Sequence, residues 1–294
     1  MAKSRGILKR ANTARNIRSL TRTMEMVSTS RFRKSHVLSA AGRPYTDKLT
    51  DLLAEVIRRA DDEDAHHPLL VEKEDLQRDV LLVLTSNRGL CGAYNQAVVK
   101  LAAERYYQIA GAGYDVLVHV AGRKGLSAVR ARRMEIDEAM TDLADVPDYT
   151  RIGRLAQRYM NLYIDGEISG LEVAYTRVER SGQSRPVIAQ MLPLSELTDP
   201  ENANIAEEEI DFDFYPSIHE VLRNLLPATI RLRLFQCFVD ASVAEQMARM
   251  SAMRSATENA DEMIQNLTRK YNRMRQAQIT TELTEIMGGR AGLE

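Results

Sequence analysis

A short loop that combines glycines, an arginine and a thiol is the first segment with residue types suited to chemistry. Residues 86–92, with the sequence SNRGLCG, follow a buried apolar run and precede a helix-like segment. At such a strand-to-helix junction, backbone N–H groups and the helix dipole can hold a phosphate. The loop lacks the lysine and hydroxyl of G-x-x-x-x-G-K-[ST] and the full set of glycines of G-x-G-x-x-G. The pattern therefore favours a tight turn over a nucleotide site.

Other groups that could act as a nucleophile, a metal site or an acid–base pair have simpler interpretations. Cys91 could be a nucleophile at a helix start, but no histidine in the same loop would activate it. His66 and His67 lie between an acidic run and a proline, as in a solvated linker. Glu282 and Glu285 share one helical face, which is solvated by default. We therefore predict no catalytic centre, no metal site and no cofactor.

The composition of the whole chain limits the class of protein. Its 294 residues are 44% hydrophobic and carry a formal net charge of -1, which excludes extensive disorder and a uniform polycation. No apolar run approaches the roughly 18 residues of a membrane span, and the N-terminus lacks the apolar region of a secretory signal. Cys91 and Cys237 stand far apart, which argues against a disulfide framework. We expect an intracellular protein.

The N-terminal part is strongly basic and helical in pattern. Residues 1–43 hold eleven basic residues and one acidic residue, Glu25, a local charge of 11 − 1 = +10. Apolar residues recur at helical steps of three and four, at Ile7, Ala11, Ala14, Ile17, Leu20, Met24 and Val27. This spacing predicts one apolar helical face. We predict one long helix over residues 1–60, ended by the acidic cluster at 61–64 and by Pro68.

The middle of the chain alternates strand-like and helix-like segments. Buried apolar runs at 80–85 and 116–120 and strand-like runs at 171–178 and 187–192 predict strands, and residues 93–110 and 149–164 predict helices. This alternation is typical of an open, largely parallel sheet with helices around it. We predict a Rossmann-like α/β domain over 76–195, followed by an acidic connector over 196–216.

The C-terminal part predicts a second long helix, over residues 217–294. Residues 228–287 contain neither proline nor glycine, and 60 helical residues span about 90 Å. A seam close to a heptad repeat runs through Ala260, Ile264, Leu267, Tyr271, Met274 and Gln278. A narrow stripe needs a partner helix, and the N-terminal helix is the other long stripe. The predicted fold class is α/β with long helices: an antiparallel coiled coil of the N- and C-terminal helices with an inserted α/β domain.

The basic N-terminal helix is compatible with several functions. Its composition is typical of a mitochondrial transit peptide and of a helix that binds nucleic acid or anionic lipid. It is equally suited to a shaft that faces an acidic protein partner. Phe32 is its one aromatic residue before Tyr45, which counts against single-strand binding by base stacking. Composition alone does not choose among these functions.

Several motifs resemble the gamma subunit family of the F-type ATP synthase, in family order and over essentially the whole chain. They are 20–27 (LTRTMEMV) with Arg31, 43–45 (RPY), 86–95 (SNRGLCGAYN), 245–253 (EQMARMSAM) with 256–260 (ATENA), and 271–286 (YNRMRQAQITTELTEI). Because the family pattern begins within the first residues, the resemblance removes the transit-peptide interpretation. Mild departures from the pattern stand at Thr23, Asn87, Ala244 and Gln246. No cysteine pair of the chloroplast type is present, so we expect no thiol switch.

The resemblance implies a non-catalytic rotor shaft that couples ion flow through the membrane c-ring to ATP synthesis or hydrolysis. The implied partners are the alpha and beta subunits as an alpha3-beta3 ring, the epsilon subunit and the c-ring, with no nucleic acid and only indirect membrane contact. The implied location is the cytoplasmic face of a bacterial cell membrane. The alternative is a coiled-coil adaptor or nucleic-acid-binding protein that grips an acidic partner with its basic helix.

The resemblance also assigns roles to individual residues. Arg275 and Gln276 match contacts to the catch loop of the beta subunit, with Arg249, Thr280 and Glu282 matching a supporting polar cluster. Met24 matches a contact to the moving lever of the beta subunit. The implied sleeve, or bearing, residues are Ile279, Leu283, Ile286 and Met287. The basic shaft surface is expected at Arg31, Arg33 and Lys34, against acidic beta-subunit surfaces.

Overall fold

The structure is a computed structural model of the chain. It describes residues 2–60, 67–71, 73, 76–143, 145–179, 182–194, 215 and 217–291, with the side chains of 2–4, 285–286 and 288–291 left aside. His66, the acidic cluster at 61–64 and the predicted connector at 196–216, except Tyr215, lie outside the described residues. The chain divides into two compact units: unit 1 is Met1–Thr29 with Arg249–Glu294, and unit 2 is Ser30–Ala248.

The element order confirms two long terminal helices with an α/β segment between them. The elements are α1 (Ala2–Arg59), β1 (Arg78–Leu84), α2 (Tyr94–Gly111), β2 (Asp115–Ala121), α3 (Arg123–Ala131), β3 (Glu138–Met140), α4 (Tyr149–Ile164), β4 (Gly170–Val178), β5 (Ser184–Leu192) and α5 (Ile218–Ala291). The helices α1 and α5 have 58 and 74 residues and each includes one proline, Pro44 and Pro227. Neither α3 nor β3 was predicted from the sequence, because a nine-residue helix and a three-residue strand are too short to stand out in a pattern of apolar residues.

In unit 1, the N-terminal part of α1 pairs with the C-terminal part of α5 in antiparallel fashion. The hydroxyls of Thr21 and Thr257 lie 2.7 Å apart, and Arg18 Nε lies 2.7 Å from Asp261 Oδ1. The partner number rises as the α1 number falls, which defines the antiparallel direction. On α5 the predicted seam is confirmed: Ala260 is buried, and Ile264, Leu267, Tyr271, Met274 and Gln278 are each half-buried.

The predicted apolar face of α1 is confirmed only in part in unit 1. Ile17, Leu20 and Val27 are 47%, 61% and 47% exposed. The buried positions are Ala11 and Ala14 of the predicted face, together with Thr21 and Ser28, which follow Ala14 at heptad spacing. A hydrophobicity pattern overlooks such a seam because serine and threonine count as polar. This leaves large apolar side chains of α1 facing outward.

The helix α5 continues past the start of α1. Thr21 lies opposite Thr257, and in an antiparallel pair each step back along α1 corresponds to one step forward along α5. Ala2 therefore lies opposite residue 276, to within about one helical turn. The last turns of α5 therefore have no counterpart on α1 within the described residues. The exposure of the side chains is consistent with this, because residues 279–284 are all exposed.

Unit 2 contains the predicted α/β domain. The strand order of its sheet is β3-β2-β1-β4-β5. The first four strands are parallel, and β5 pairs antiparallel with β4. The largely parallel sheet predicted from the sequence is confirmed, with the antiparallel edge strand as the addition.

Both faces of the sheet are covered, which explains why the strand β1 is an uninterrupted apolar run. Val80, Leu82 and Leu84 enter one core, with residues of α1, α4 and α5. The intervening Leu81 and Val83 enter a second core, with residues of α2 and α3. The alternation of side chains along β1 therefore fixes which helices lie on which face.

Candidate interaction surfaces

The polar residues near the end of α5 lie on the surface. Arg275, Gln276, Thr280 and Glu282 are all exposed. At about 100° per residue, Arg275 and Glu282 share one side of the helix, and Gln276 and Thr280 share another. Thr280 Oγ1 donates to the carbonyl of Gln276 at 2.9 Å, and Glu282 accepts from Gln278 at 3.1 Å. These four residues form an exposed polar surface in two parts, one on each of these sides, over two helical turns.

An apolar strip runs between these two polar sides. Ile279, Leu283 and Met287 follow each other at steps of four and are 43%, 55% and 73% exposed. The side chain of Ile286 lies outside the described residues. A contiguous apolar strip on a helix is typical of a surface that binds a partner.

Arg249 does not share the polar surface around Arg275. It lies 26 positions earlier on α5, which corresponds to about 39 Å along a helix. It is also only 4% exposed. The structure therefore does not bring Arg249 together with Arg275, Gln276, Thr280 and Glu282, and it places Arg249 among the buried residues.

The residues around Met24 form a second apolar surface of unit 1. Met24 itself is half-buried, and its neighbours Leu20, Met26 and Val27 are exposed. From the sequence, Met24 was predicted to contact a partner, whereas Leu20 and Val27 were predicted only as part of the inner apolar face of α1. The heptad spacing of small residues in the α1 seam is the sequence signal that could have shown that Leu20 and Val27 are exposed.

The three basic positions at the start of unit 2 are not equivalent. Arg33 and Lys34 are exposed, as expected for a free basic surface. Arg31 instead donates from Nη1 to Asp145 Oδ2 at 2.5 Å, and both side chains are largely covered. The structure thus corrects the expectation for Arg31, whose charge is already paired within unit 2.

The loop at 86–92 is a packed turn. Ser86 and Cys91 are buried, Ser86 Oγ donates to the carbonyl of Arg88 at 2.7 Å, and Asn95 accepts the Ser86 N–H at 3.0 Å. Leu90 and Gly92 both have positive φ, which a tight turn requires.

The crevice beside this loop is filled. At the ends of β1 and β2, side chains of α5 that include Phe238 and Glu245 leave a cavity of only about 50 Å³. This crevice binds dinucleotides in related folds, but here it has room for little more than water. The geometry supports the tight turn over the nucleotide site.

Both cysteines are buried in unit 2. Burial raises the pKa of Cys237 to about 12, so its reactive thiolate form is strongly disfavoured. Cys91 packs with Tyr94 and Ala244 in a small hydrophobic cluster. The environment of each thiol is that of a core residue.

A buried histidine of unit 2 was not identified from the sequence. His119, on β2, lies 2.9 Å from the Tyr159 hydroxyl through Nδ1 and 3.5 Å from Glu138. Glu138 forms a two-bond ion pair with Arg158, which lowers the pKa of Glu138. Burial lowers the pKa of His119, although Glu138 opposes this shift. His119 is therefore held neutral in the folded chain.

We expect unit 2 to lose stability in mild acid because of His119. Below its ordinary pKa of 6.5, the unfolded chain binds a proton that the buried ring does not bind. The free energy of unfolding should then fall by up to about 1.4 kcal/mol per pH unit. Urea unfolding at pH 7.5 and 5.5, followed by circular dichroism, measures this loss. In a His119→Gln variant the loss should be smaller, and an equal loss in both proteins would contradict the assignment.

Comparison with known proteins gives the class and then the family. The fold and the surfaces define a two-helix protein with an inserted α/β domain and unpartnered apolar strips on both helices. The family model described as "ATP synthase" matches residues 3–293. The ATP synthase gamma chains of Rhodopirellula baltica and Desulfitobacterium hafniense are 38% and 35% identical, each over 100% of both chains. The chain therefore belongs to the ATP synthase gamma chain family.

Solved structures support the fold independently. A chain of the Euglena gracilis mitochondrial ATP synthase (OSCP/F1/c-ring, rotational state 3) has a TM-score of 0.67 at 15% identity, covering 99% of this chain and 95% of that one. A chain of the central stalk and c-ring of the Tetrahymena thermophila enzyme has a TM-score of 0.57 at 15% identity, covering 81% and 99%. Among the described residues, no helix is long and apolar enough to cross a membrane.

Proposed function

We propose that this chain is the central rotor shaft, or gamma subunit, of the F1 sector of an ATP synthase. The observation that carries the proposal is the outward-facing apolar surface on both helices of unit 1. Leu20 and Val27 of α1, and Leu283 and Met287 of α5, are large apolar side chains that the helix pair leaves exposed. A surrounding alpha3-beta3 ring would cover these side chains. Relatives that are ATP synthase gamma chains support the same assignment.

The geometry suits a shaft whose surface differs from one side to the other. The polar surface of Arg275, Gln276, Thr280 and Glu282 lies beside the apolar strip at Ile279 and Leu283. As such a shaft turns, each catalytic site of the ring would meet a different surface. Differential contacts of this kind shift the populations of open and closed sites, and so their affinities for nucleotide.

The shaft would itself be non-catalytic. In this proposal its partners are the alpha and beta subunits, the epsilon subunit and the c-ring, and it lies at the cytoplasmic face of a bacterial membrane as a peripheral part of F1. Arg275, Gln276, Thr280 and Glu282 would contact the beta-subunit catch loop, Met24 the beta lever, and Ile279, Leu283, Ile286 and Met287 the sleeve. Arg33 and Lys34 would supply the free basic surface.

Co-expression tests the proposal directly. The chain is produced with the alpha and beta subunits of its source and purified on a tag that it carries. We expect an active ATPase whose native mass corresponds to three alpha, three beta and one copy of this chain. Recovery of the chain alone, or with nucleic acid, would support the adaptor alternative instead. A steep loss of affinity with salt would then identify nucleic-acid binding.

Arg275→Ala should slow ATP-driven rotation in this complex about tenfold. A hydrogen bond to a charged group contributes roughly 1.5–3 kcal/mol, and about 1.4 kcal/mol corresponds to a factor of ten in rate. Because Arg275 is exposed, the isolated chain should keep its melting temperature. The matched control is Lys270→Ala, which removes an exposed basic side chain from a side of α5 that carries none of the four polar residues. Unchanged ATPase and synthesis rates for Arg275→Ala would remove this residue from the coupling surface.

A further inference from the structure

Two polar clusters of unit 2 each connect α1, α5 and the α/β domain. The first is centred on Asp240 of α5, which is only 3% exposed. Its carboxylate accepts hydrogen bonds from Ser39 Oγ at 2.8 Å, Arg43 Nη2 at 2.9 Å and Gln236 Nε2 at 2.9 Å. Arg43 Nη2 also donates to the carbonyl of Val178, the last residue of β4, at 2.6 Å. We call this group the Asp240 cluster.

The second cluster is centred on Asp145, which lies between β3 and α4. Its carboxylate accepts from Arg31 of α1 at 2.5 Å, and its backbone carbonyl accepts from Ser242 Oγ of α5 at 2.9 Å. The hydroxyls of Ser242 and Ser35 lie 3.0 Å apart, so this cluster also joins the two helices to each other. We call this group the Asp145 cluster.

The two clusters attach to different sides of α5. Asp240 and Ser242 are two positions apart, which is about 200° around a helix. The Asp240 cluster holds the end of β4, and the Asp145 cluster holds the segment after β3. One attachment would act as a pivot for rotation about the helix axis. Two attachments on different sides resist that rotation.

Neither cluster is an efficient way to gain stability. A buried ion pair loses much of its attraction to the cost of desolvation, and well-packed apolar residues often stabilise a protein as well or better. Charge-assisted hydrogen bonds, in contrast, fix direction and distance, whereas apolar contacts do not. The residue types therefore indicate a role in fixing an angle between the sheet and the helix pair.

We propose that the Asp240 and Asp145 clusters are the joint that transmits torque between the α/β domain and the helix pair. Arg43, Asp240, Arg31 and Asp145 are its positioning residues. The inference rests on the proposed rotor function and goes beyond it, because it states where in the chain a twisting load is carried. The RPY segment, which contains Arg43, thereby acquires a specific mechanical role.

The test is a measurement of torsional stiffness in the complex of alpha, beta and this chain. The hexamer is fixed to a surface, and a bead is attached to α2 through Tyr107→Cys, since Tyr107 is exposed and both native cysteines are buried. The test variant Arg43→Met with Asp240→Leu replaces the ion pair with apolar side chains and removes the directional bonds. We expect the variance of the bead angle during catalytic pauses to rise at least twofold, with the melting temperature unchanged or raised.

A matched control replaces an ion pair that does not bridge elements. Lys100 and Glu104 lie 3.8 Å apart on the surface of α2, so Lys100→Met with Glu104→Leu should leave the variance unchanged. Arg31→Gln probes the Asp145 cluster at a partly exposed position and should raise the variance even where the buried double variant fails to fold. Unchanged variance in Arg31→Gln and in every folded variant of the Asp240 cluster would overturn the joint. A wild-type complex that assembles but does not rotate would overturn the rotor proposal itself.

Discussion

Replacing Leu267 with proline is expected to abolish function by breaking α5 within unit 1. Proline at this position would remove the N–H that bonds to the carbonyl of Met263 and would clash with that carbonyl, at a cost of about 3 kcal/mol or more. Leu267 also lies on the half-buried seam, so its packing against α1 would be lost as well. We expect loss of assembly with the alpha and beta subunits, measured as the native mass of the tagged complex.

The control for this prediction is Leu267→Ala, which removes the seam side chain and keeps the backbone bond. It should assemble, with a smaller loss of stability. The existing prolines, Pro44 and Pro227, both lie in unit 2, where other elements pack on the helices. A Leu267→Pro chain that assembles and drives ATPase normally would contradict the continuous helix in unit 1.

Gly122→Ala should be the most destabilising small substitution in unit 2. Gly122 has a φ of 101°, and a Cβ there would lie 2.1 Å from the carbonyl oxygen of Thr85. Thr85 cannot move aside easily, because its N–H and Oγ1 both donate to the carbonyl of Ala121, at 2.7 and 2.8 Å. The clash would separate the ends of β1 and β2, at a cost of about 4 kcal/mol or more.

Thermal unfolding measures this effect. A loss of about 4 kcal/mol corresponds to a fall in Tm of roughly 10 °C in a unit of this size. The control is Gly111→Ala at the end of α2, where a Cβ would meet nothing within 4 Å. That variant should be neutral, or more stable by roughly 0.5–1 kcal/mol. Similar melting temperatures for the two variants would show that the close approach at Gly122 is relieved in solution.

The helices and strands that were predicted from the sequence are those whose buried residues form a long, regular pattern of apolar side chains. The strand β1 is a continuous apolar run from Val80 to Leu84 because helices cover both faces of the sheet. The heptad seam of α5 around Leu267 was visible because its residues are large and apolar. In contrast, Thr21 and Ser28 of the α1 seam were overlooked, since small polar residues at a helix interface leave no hydrophobic periodicity.

Exposure of a side chain follows from the sequence where the residue lies on a helical face without a packing partner, whereas the binding roles of such residues stay predictions. The polar surface at Arg275 and Gln276 follows from local position on α5. Arg31 could not be assigned in this way, because its partner comes from a distant part of the chain. Arg31 is paired with Asp145, which lies 114 positions away. Patterns within a short segment do not reveal a partner that is distant in sequence. A motif match alone does not show whether a charged side chain is already in an ion pair.

The small-residue seam of α1 also bears on the mechanics of the chain. Alanine, serine and threonine at the contact permit two helix axes to approach to about 8 Å, the short end of the usual range. A closer pair has a smaller radius. For a given torque, the tangential force at the surface rises as the radius falls, and the surface travels a shorter arc per step. Ala14, Thr21 and Ser28 would thus set the leverage with which the shaft pushes on whatever surrounds it.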